Sequence, residues 1–269
     1  MMSLPLVYTI LALIAYIASF CYVSAHLFAK SEPNRWWVAA VLAVGLSLHA
    51  LVLSQHMLTP LGIHYDVFNL LSFTSGLMLL LSMLFSTYRP VLALNLIGIP
   101  VAASGLVLGL MFSQPKLVAT PSSLGLDIHI ILSLSAYAVL FMAAIHAILL
   151  WFQNRELKKK NKKRVWVNLL PPLQAMESLL FDLLITGFVM LTLALGFGFF
   201  TIDNFFAQHL AHKTVFSLMS WLMYALLLTG HYAFGWRGQK AIRFTLIAFG
   251  LLALGFIGSK FVLEMILAR

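Results

Sequence analysis

Long apolar segments recur along this chain, and they constrain its fold more than any other feature. About 20 consecutive apolar residues are enough to cross the roughly 30 Å of hydrocarbon in a bilayer. The 269-residue sequence has eight such segments, at residues 4–29, 36–58, 66–86, 90–112, 127–152, 178–200, 214–235 and 244–266. Because backbone groups in lipid must be hydrogen-bonded within the segment, each is predicted to be a helix. We therefore predict an all-α, polytopic membrane protein with eight transmembrane helices in a single integral membrane domain, residues 1–269.

Lysine and arginine residues are concentrated in alternate loops of this arrangement. Of the 17 basic residues, 13 fall in the regions that follow the first, third, fifth and seventh predicted helices. Because basic loops are retained in the cytoplasm, we predict that both termini lie outside the cytoplasm and that the chain is a multi-pass protein of the bacterial inner membrane. The densest basic group, residues 155–164, is short and adjoins a predicted helix, so its expected partner is anionic lipid and not nucleic acid.

The loops are too short for a separate catalytic domain. No segment between predicted helices is longer than about 25 residues, and only 9% of all residues are charged. The sequence contains neither a phosphate-binding glycine loop nor a serine-nucleophile motif. We therefore expect the protein to act within or just above the bilayer, and we do not expect an enzyme.

Histidine is frequent for such an apolar chain, since nine histidines accompany only eight acidic residues. Imidazole groups are costly in hydrocarbon and are the commonest metal ligands in proteins, so some of them are expected to be functional. His49 is predicted near the middle of the bilayer, about 20 Å along the second helix from Trp36. Five others are predicted at the outer face, two of them in the loop before the seventh helix: His56, His64, His129, His209 and His212.

The residue pattern alone leaves two interpretations of these histidines open. Carboxylates predicted near the outer group would let it hold a metal ion directly, or would fix the tautomers of metal-bound imidazoles. These carboxylates are Asp66, Asp127, Asp203 and Glu264. Alternatively, the outer histidines lie at the interface because water is available there, and His49 is a neutral buried imidazole bonded to a neighbouring hydroxyl.

Two stretches resemble the cytochrome c assembly proteins, a family of haem-handling membrane proteins that includes CcsA, CcmC and HemX-like proteins. The stretch KTVFSLMSWLMYALLLTGHYAFGWRGQKA, Lys213–Ala241, contains a helix ending in His231 and then a GWRG turn. The stretch LDIHIILSLSAYAVLFMAAIHA, Leu126–Ala147, contains an outer-face His129 followed by a Ser-aromatic-Ala pattern. The resemblance covers about residues 40–258.

The resemblance implies a set of haem ligands. Members of the family carry one pair of histidines within the membrane helices and another pair at the outer face. By position, His49 and His231 correspond to the membrane pair, and His129 corresponds to the first outer histidine. This chain lacks the family's tryptophan-rich segment before the seventh helix and lacks a second outer histidine near its end. His209 or His212 is the hypothetical replacement for that outer ligand.

These observations predict a haem-binding protein of the cytochrome c assembly type, which acts in haem binding, transfer or homeostasis and holds haem b between two histidines. Candidates to contact the porphyrin and its propionates are Phe205, Phe206, Trp221, Lys116 and Lys213. The expected partners are other cytochrome c maturation or membrane proteins and membrane lipid. Two alternatives remain open: a divalent-metal handling protein or accessory subunit of an ion transporter, and a structural or regulatory membrane subunit.

Overall fold

Eight α-helices and one very short β-ladder make up the described part of the chain. The structure is a computed structural model that describes residues 3–29, 31–59, 62–63, 66–88, 95–113, 124–158, 171–201 and 208–261. In chain order the helices are α1 (Leu4–Phe28), α2 (Arg35–Met57), α3 (Val67–Tyr88), α4 (Asn95–Phe112), α5 (Leu124–Lys158), α6 (Leu173–Thr201), α7 (Gln208–Phe234) and α8 (Gln239–Phe261). Between α2 and α3, β1 (Leu58–Thr59) pairs antiparallel with β2 (Gly62–Ile63). The prediction of an all-α fold is confirmed.

Seven helices, α1 to α7, are long and apolar enough to cross a membrane, judged on the residues that the structure describes. Most of them lie close to the apolar runs that predicted them, but α5 continues to Lys158, nearly two turns past residue 152. The added residues include no glycine or proline and are mostly good helix formers, so the helix continues beyond its apolar part. The count of eight spans and the outer position of both termini stay predictions.

Side-chain caps define the starts of two helices. Asn34 caps α2, because its Oδ1 accepts hydrogen bonds from the backbone N–H groups of Trp36 and Trp37 at 3.1 and 3.3 Å. Asp66 caps α3 and accepts from the Phe68 N–H at 3.1 Å. The first N–H groups of a helix have no partner within it, so each cap satisfies donors that would otherwise depend on water.

Helices α1 to α4 form one compact unit, in which α1 packs on α2 and α4, and α3 packs on α2 and α4. Glycines bring α4 close to α3. A Cβ at Gly109 would lie 3.0 Å from the Ser72 Cβ, and a Cβ at Gly105 would overlap the Ser75 side chain. These two glycines therefore serve close helix packing.

Helices α5 to α8 form a second compact unit, in which α5 packs on α6 and α8, and α7 packs on α6 and α8. Gly187 of α6 lets α5 approach, because a Cβ there would lie 2.7 Å from the Leu140 Cγ. The Ser220 hydroxyl on α7 donates a hydrogen bond to the Ala248 carbonyl on α8 at 2.8 Å. A single domain over residues 1–269 stays a prediction.

Candidate functional site

His129 lies in the second turn of α5, with one ring nitrogen tied to a neighbouring helix. Its Nδ1 is 2.8 Å from the carbonyl oxygen of Ala194 on α6. Because a carbonyl only accepts hydrogen bonds, Nδ1 carries the proton and Nε2 carries the lone pair. No group among the described residues hydrogen-bonds to this Nε2. Gly198 makes room for the ring, since a Cβ there would lie 2.8 Å from the His129 Cε1. The imidazole is therefore held with its lone pair available.

His231, in the last turn of α7, has the same arrangement. Its Nδ1 donates to the Trp236 carbonyl at 2.9 Å, so Nε2 again carries the lone pair. Across the described ranges, Nε2 has no hydrogen-bond partner. The ring stacks on Phe181 of α6, with ring centroids 3.5 Å apart and planes inclined by 18°. Stacking and the single hydrogen bond together hold this half-buried imidazole in one orientation.

The GWRG turn explains how His231 meets that carbonyl. Gly235 has a φ of 65°, a left-handed conformation that commonly ends helices and that glycine adopts at little cost. The Gly235 N–H donates to the His231 carbonyl at 3.0 Å, and the Trp236 N–H donates to the Gly230 carbonyl at 3.1 Å. The Trp236 ring packs where a Cβ on Gly230 would overlap it. The turn thus folds the chain back and brings the Trp236 carbonyl to the imidazole.

His49 is fully buried, and both of its ring nitrogens are already bonded. Nδ1 is 3.0 Å from the Tyr16 hydroxyl on α1, and Nε2 is 2.9 Å from the Ser72 hydroxyl on α3. Gly76 of α3 leaves space for the ring, since a Cβ there would lie 3.2 Å from the His49 Cε1. This is the arrangement expected of a neutral imidazole bonded to neighbouring hydroxyls. Iron could bind His49 only after one hydroxyl had moved away.

The structure does not bring His129 and His231 together. His231 stacks on Phe181, whereas His129 bonds to Ala194, and these two α6 positions are 13 residues apart. At about 1.5 Å per helical residue, the two imidazoles are separated by about 20 Å along α6. They therefore lie at different levels of one helical unit.

His209 and His212 lie within α7, and their predicted position in a loop before the seventh helix was wrong. The helix begins at Gln208 instead of residue 214, because the intervening residues include no glycine or proline that would end it. Residues three apart in a helix share a face, so the two histidines occupy one side of α7. Their side chains lie outside the described part of the structure.

A hydrogen bond between α6 and α7 sets the level of these two histidines. The Trp221 Nε1 donates to the Thr192 Oγ1 at 2.9 Å. With that pairing, the backbone of His212 lies about one turn beyond the level of Gly198, where the His129 ring sits. Trp221 also stacks on Phe188, with ring centroids 5.6 Å apart. The α6–α7 contact is thus lined by aromatic rings between the levels of His231 and His129.

Several contacts of the buried and half-buried histidines were not predicted from the sequence. These include the two hydroxyl partners of His49 and the stacking of Phe181 on His231. His146 on α5 is also fully buried; its Nε2 is 2.9 Å from the Met176 carbonyl, and its Nδ1 has no hydrogen-bond partner in the described ranges. None of these pairs has a local sequence signal, because the partners are on different helices.

The predicted outer group of histidines and carboxylates does not form a metal cluster in the described residues, where no three His, Cys, Asp or Glu side chains are placed to hold one ion. Asp66 instead caps α3. Several predicted residues lie outside the described ranges, namely His64, Lys116, Asp203, Phe205, Phe206 and Glu264. The divalent-metal alternative therefore has no geometric support in the described part of the chain.

Comparison with known proteins decides the family. The family model described as Cytochrome C assembly protein matches residues 4–267. The chain belongs to the cytochrome c assembly protein family. The resemblance predicted from the His231–GWRG and His129 stretches is therefore confirmed, and membership supports a haem-related role in cytochrome c biogenesis.

Individual relatives agree with a membrane location. The chain is 33% identical over 270 residues to the inner membrane protein YpjD of Escherichia coli K12, covering 97% of this chain and 99% of the relative. YpjD of Escherichia coli O157:H7 gives the same values. An uncharacterized 28.8 kDa protein of Azospirillum brasilense is 34% identical over 144 residues, 53% of each chain. No solved structure matches. With seven helices able to cross a membrane among the described residues, this family member is a multi-pass inner membrane protein.

Proposed function

We propose that this protein binds haem b through histidines on its membrane helices and serves cytochrome c biogenesis by holding, transferring or buffering haem. The shared state of His129 and His231 supports this most. Each donates its Nδ1–H to a backbone carbonyl and presents Nε2 as a lone-pair donor. Metal-bound histidines typically make this second hydrogen bond, which fixes the tautomer and the ring direction. When bound, haem would supply an iron that the neutral Nε2 of His129 or of His231 would hold.

The two histidines serve separate haem positions in this proposal. A metal–imidazole bond is about 2 Å long, so two imidazole nitrogens on one iron lie within about 4 Å of each other. The levels of His129 and His231 differ by about 20 Å along α6. Haem would therefore be held at two distinct positions.

A second histidine would help to hold haem at each position. For the His129 position the candidates are His212 and His209, because their shared face of α7 begins about one turn from the level of Gly198. His49 would hold haem only within its own α1–α4 unit, and only if it gave up its bond to the Ser72 or Tyr16 hydroxyl.

The surroundings of the α6–α7 contact suit an apolar, planar ligand. Trp221 and Phe188 already stack on each other between the two levels, and porphyrin faces pack well on such rings. The exposed Lys213 side chain is the nearest candidate in sequence to His212 for pairing with a propionate. Other cytochrome c maturation proteins are the proposed partners, and the chain itself binds and orients haem without changing bonds.

Haem titration of the purified protein tests the proposal. The protein is placed in lipid nanodiscs, haemin is added in steps, and the absorption spectrum is followed for wild type, His129→Ala and His231→Ala. His26→Ala is the matched control, because the His26 Nδ1 also bonds to a carbonyl, that of Tyr22 in its own helix, at 2.9 Å. Each single variant is expected to lose one haem position, the double variant both, and the control neither.

The other outcomes separate the alternative functions. If wild type takes up no haem, the proposal fails, and elemental analysis for a divalent metal distinguishes metal handling from a structural subunit. If His26→Ala removes as much haem as His129→Ala, the binding is nonspecific and the assignment of His129 is wrong. If His129→Ala and His231→Ala abolish the same single haem, the two-position arrangement is wrong.

A further inference from the structure

The α1–α4 unit contains a chain of hydrogen bonds through its interior. The Tyr16 hydroxyl, the His49 imidazole and the Ser72 hydroxyl are linked in that order at 3.0 and 2.9 Å, and His49 is only 1% exposed. A neutral imidazole donates from one nitrogen and accepts at the other, while a hydroxyl does both. The Tyr16 and Ser72 hydroxyls therefore meet one donor nitrogen and one acceptor nitrogen of a neutral His49.

Five further polar atoms in this unit are buried without hydrogen-bond partners in the part of the chain that the structure describes. Three of them are the Thr9 hydroxyl, the His56 Nε2 and the Asn69 Nδ2, and the other two are the Ser19 hydroxyl and the Asn95 Nδ2. Thr9 is 2% exposed and Asn69 is 1% exposed, whereas His56 is half-buried. Buried polar groups in native proteins are nearly always satisfied, so three orphans on three helices call for a common ligand.

Helix register places these three groups near one another. Thr9 is seven residues from Tyr16, and His56 is seven residues from His49, which is two helical turns and the same face in each case. Helices α1 and α2 pack as an antiparallel pair joined by the Tyr16–His49 bond. Thr9, toward the start of α1, and His56, toward the end of α2, therefore lie at the same end of this pair. Asn69 lies one turn from Ser72 in that direction as well. The three orphans therefore cluster beside the His49 chain, toward the C-terminal end of α2.

We propose that Thr9, His56 and Asn69 form a binding site for ordered water that joins the half-buried His56 to the Tyr16–His49–Ser72 chain. A buried water typically makes about three hydrogen bonds to otherwise unsatisfied groups, and these three side chains offer a hydroxyl, an imidazole nitrogen and an amide N–H. The α1–α4 unit thus carries a line of hydrogen-bonding groups from the end of α2 to His49, and this line requires no haem.

Nuclear magnetic resonance of the full-length protein in nanodiscs, with ¹⁵N-labelled histidine, tests this site with water itself as the probe. Magnetisation is transferred from water to the imidazole groups, and the His49 and His56 signals are assigned from their loss in His49→Gln and His56→Gln. We expect transfer to both rings in wild type. In the double variant Thr9→Val with Asn69→Leu, transfer to His49 should be lost.

Thr74→Val is the matched control, because the Thr74 hydroxyl on α3 is already bonded to the Leu70 carbonyl at 2.7 Å; transfer to His49 should survive in it. Absence of transfer to either ring in wild type overturns the proposal without reference to any variant. Unchanged transfer to His49 in a folded double variant also overturns it. If the double variant does not fold, Thr9→Val alone, which exchanges a hydroxyl for a methyl group, gives the same comparison.

Discussion

Alanine at Gly198 is expected to displace His129, and the structure indicates how far the effect extends. A Cβ at this position would lie 2.8 Å from the His129 Cε1 and 3.0 Å from its Nδ1. The ring can yield only by leaving the Ala194 carbonyl, which its Nδ1 now meets at 2.8 Å. Gly198→Ala therefore tests whether the close approach of the His129 ring to α6 supports haem binding.

The expected magnitude follows from opposing terms. Overpacking costs about 1–3 kcal/mol, and the lost hydrogen bond costs about 1 kcal/mol. Alanine offsets up to about 1 kcal/mol of this, because it is a better helix former than glycine. The net penalty of about 1–3 kcal/mol is divided between stability and haem binding, so haem binding at the His129 position should weaken by at most about 150-fold.

Gly196→Ala is the matched control, since Gly196 lies on the same helix and a Cβ there would meet nothing within 4 Å. Both variants are titrated with haemin in nanodiscs, and their thermal unfolding is followed by tryptophan fluorescence. We expect Gly198→Ala to weaken haem binding and to unfold at a lower temperature than Gly196→Ala. Equal unfolding temperatures would refute the packing argument, whereas a lower temperature with unchanged haem affinity would refute the role of His129.

Three other substitutions have expected outcomes that thermal unfolding in detergent can measure. Gly235→Ala should lower the free energy of unfolding by about 1 kcal/mol, because the φ of 65° at this position disfavours a side chain. An unchanged melting temperature would show that the turn relaxes. Gly187→Ala should lower the free energy of unfolding by about 1–3 kcal/mol, because its Cβ would clash with Leu140. Gly250→Ala is the control and should leave stability unchanged, since a Cβ there would meet nothing within 4 Å. Equal effects of the two substitutions would contradict the packing of α5 on α6. Asn34→Ala should lower the free energy of unfolding by about 1 kcal/mol, because it removes the α2 cap. Asn34→Asp should retain most of the wild-type stability, since aspartate also caps helices. A melting temperature of Asn34→Asp as low as that of Asn34→Ala would argue against capping.

Much of the fold could be predicted because the membrane imposes simple rules. Apolar runs of sufficient length must be helices in lipid, and each described helix coincides with one run. The close approach of another helix to α4 was predictable from the spacing of Gly105 and Gly109, but the identity of that helix as α3 was not. The helix ends were less predictable, since hydropathy marks only the apolar part; α5 and α7 both continue through polar residues that favour helix.

The candidate site was only partly predictable. The GWRG turn after His231 was expected from the family resemblance, and it has a local cause, because glycine in a left-handed conformation ends helices. The partners of His49 were not, since Tyr16 and Ser72 lie 33 and 23 residues away and only the packing of three helices brings them to one imidazole. The bond from His129 to the Ala194 carbonyl was also not predictable, because the two residues lie 65 positions apart on different helices.

The central claim is that His129 and His231 present Nε2 to haem iron at two separate positions. The most direct measurement is the haem content of the haem-saturated protein in nanodiscs, determined by the pyridine haemochrome assay together with a reduced-minus-oxidised absorption spectrum. The account predicts b-type haem that is lost in part from His129→Ala, in part from His231→Ala and wholly from the double variant, with His26→Ala unchanged. Full haem content in the double variant would contradict it.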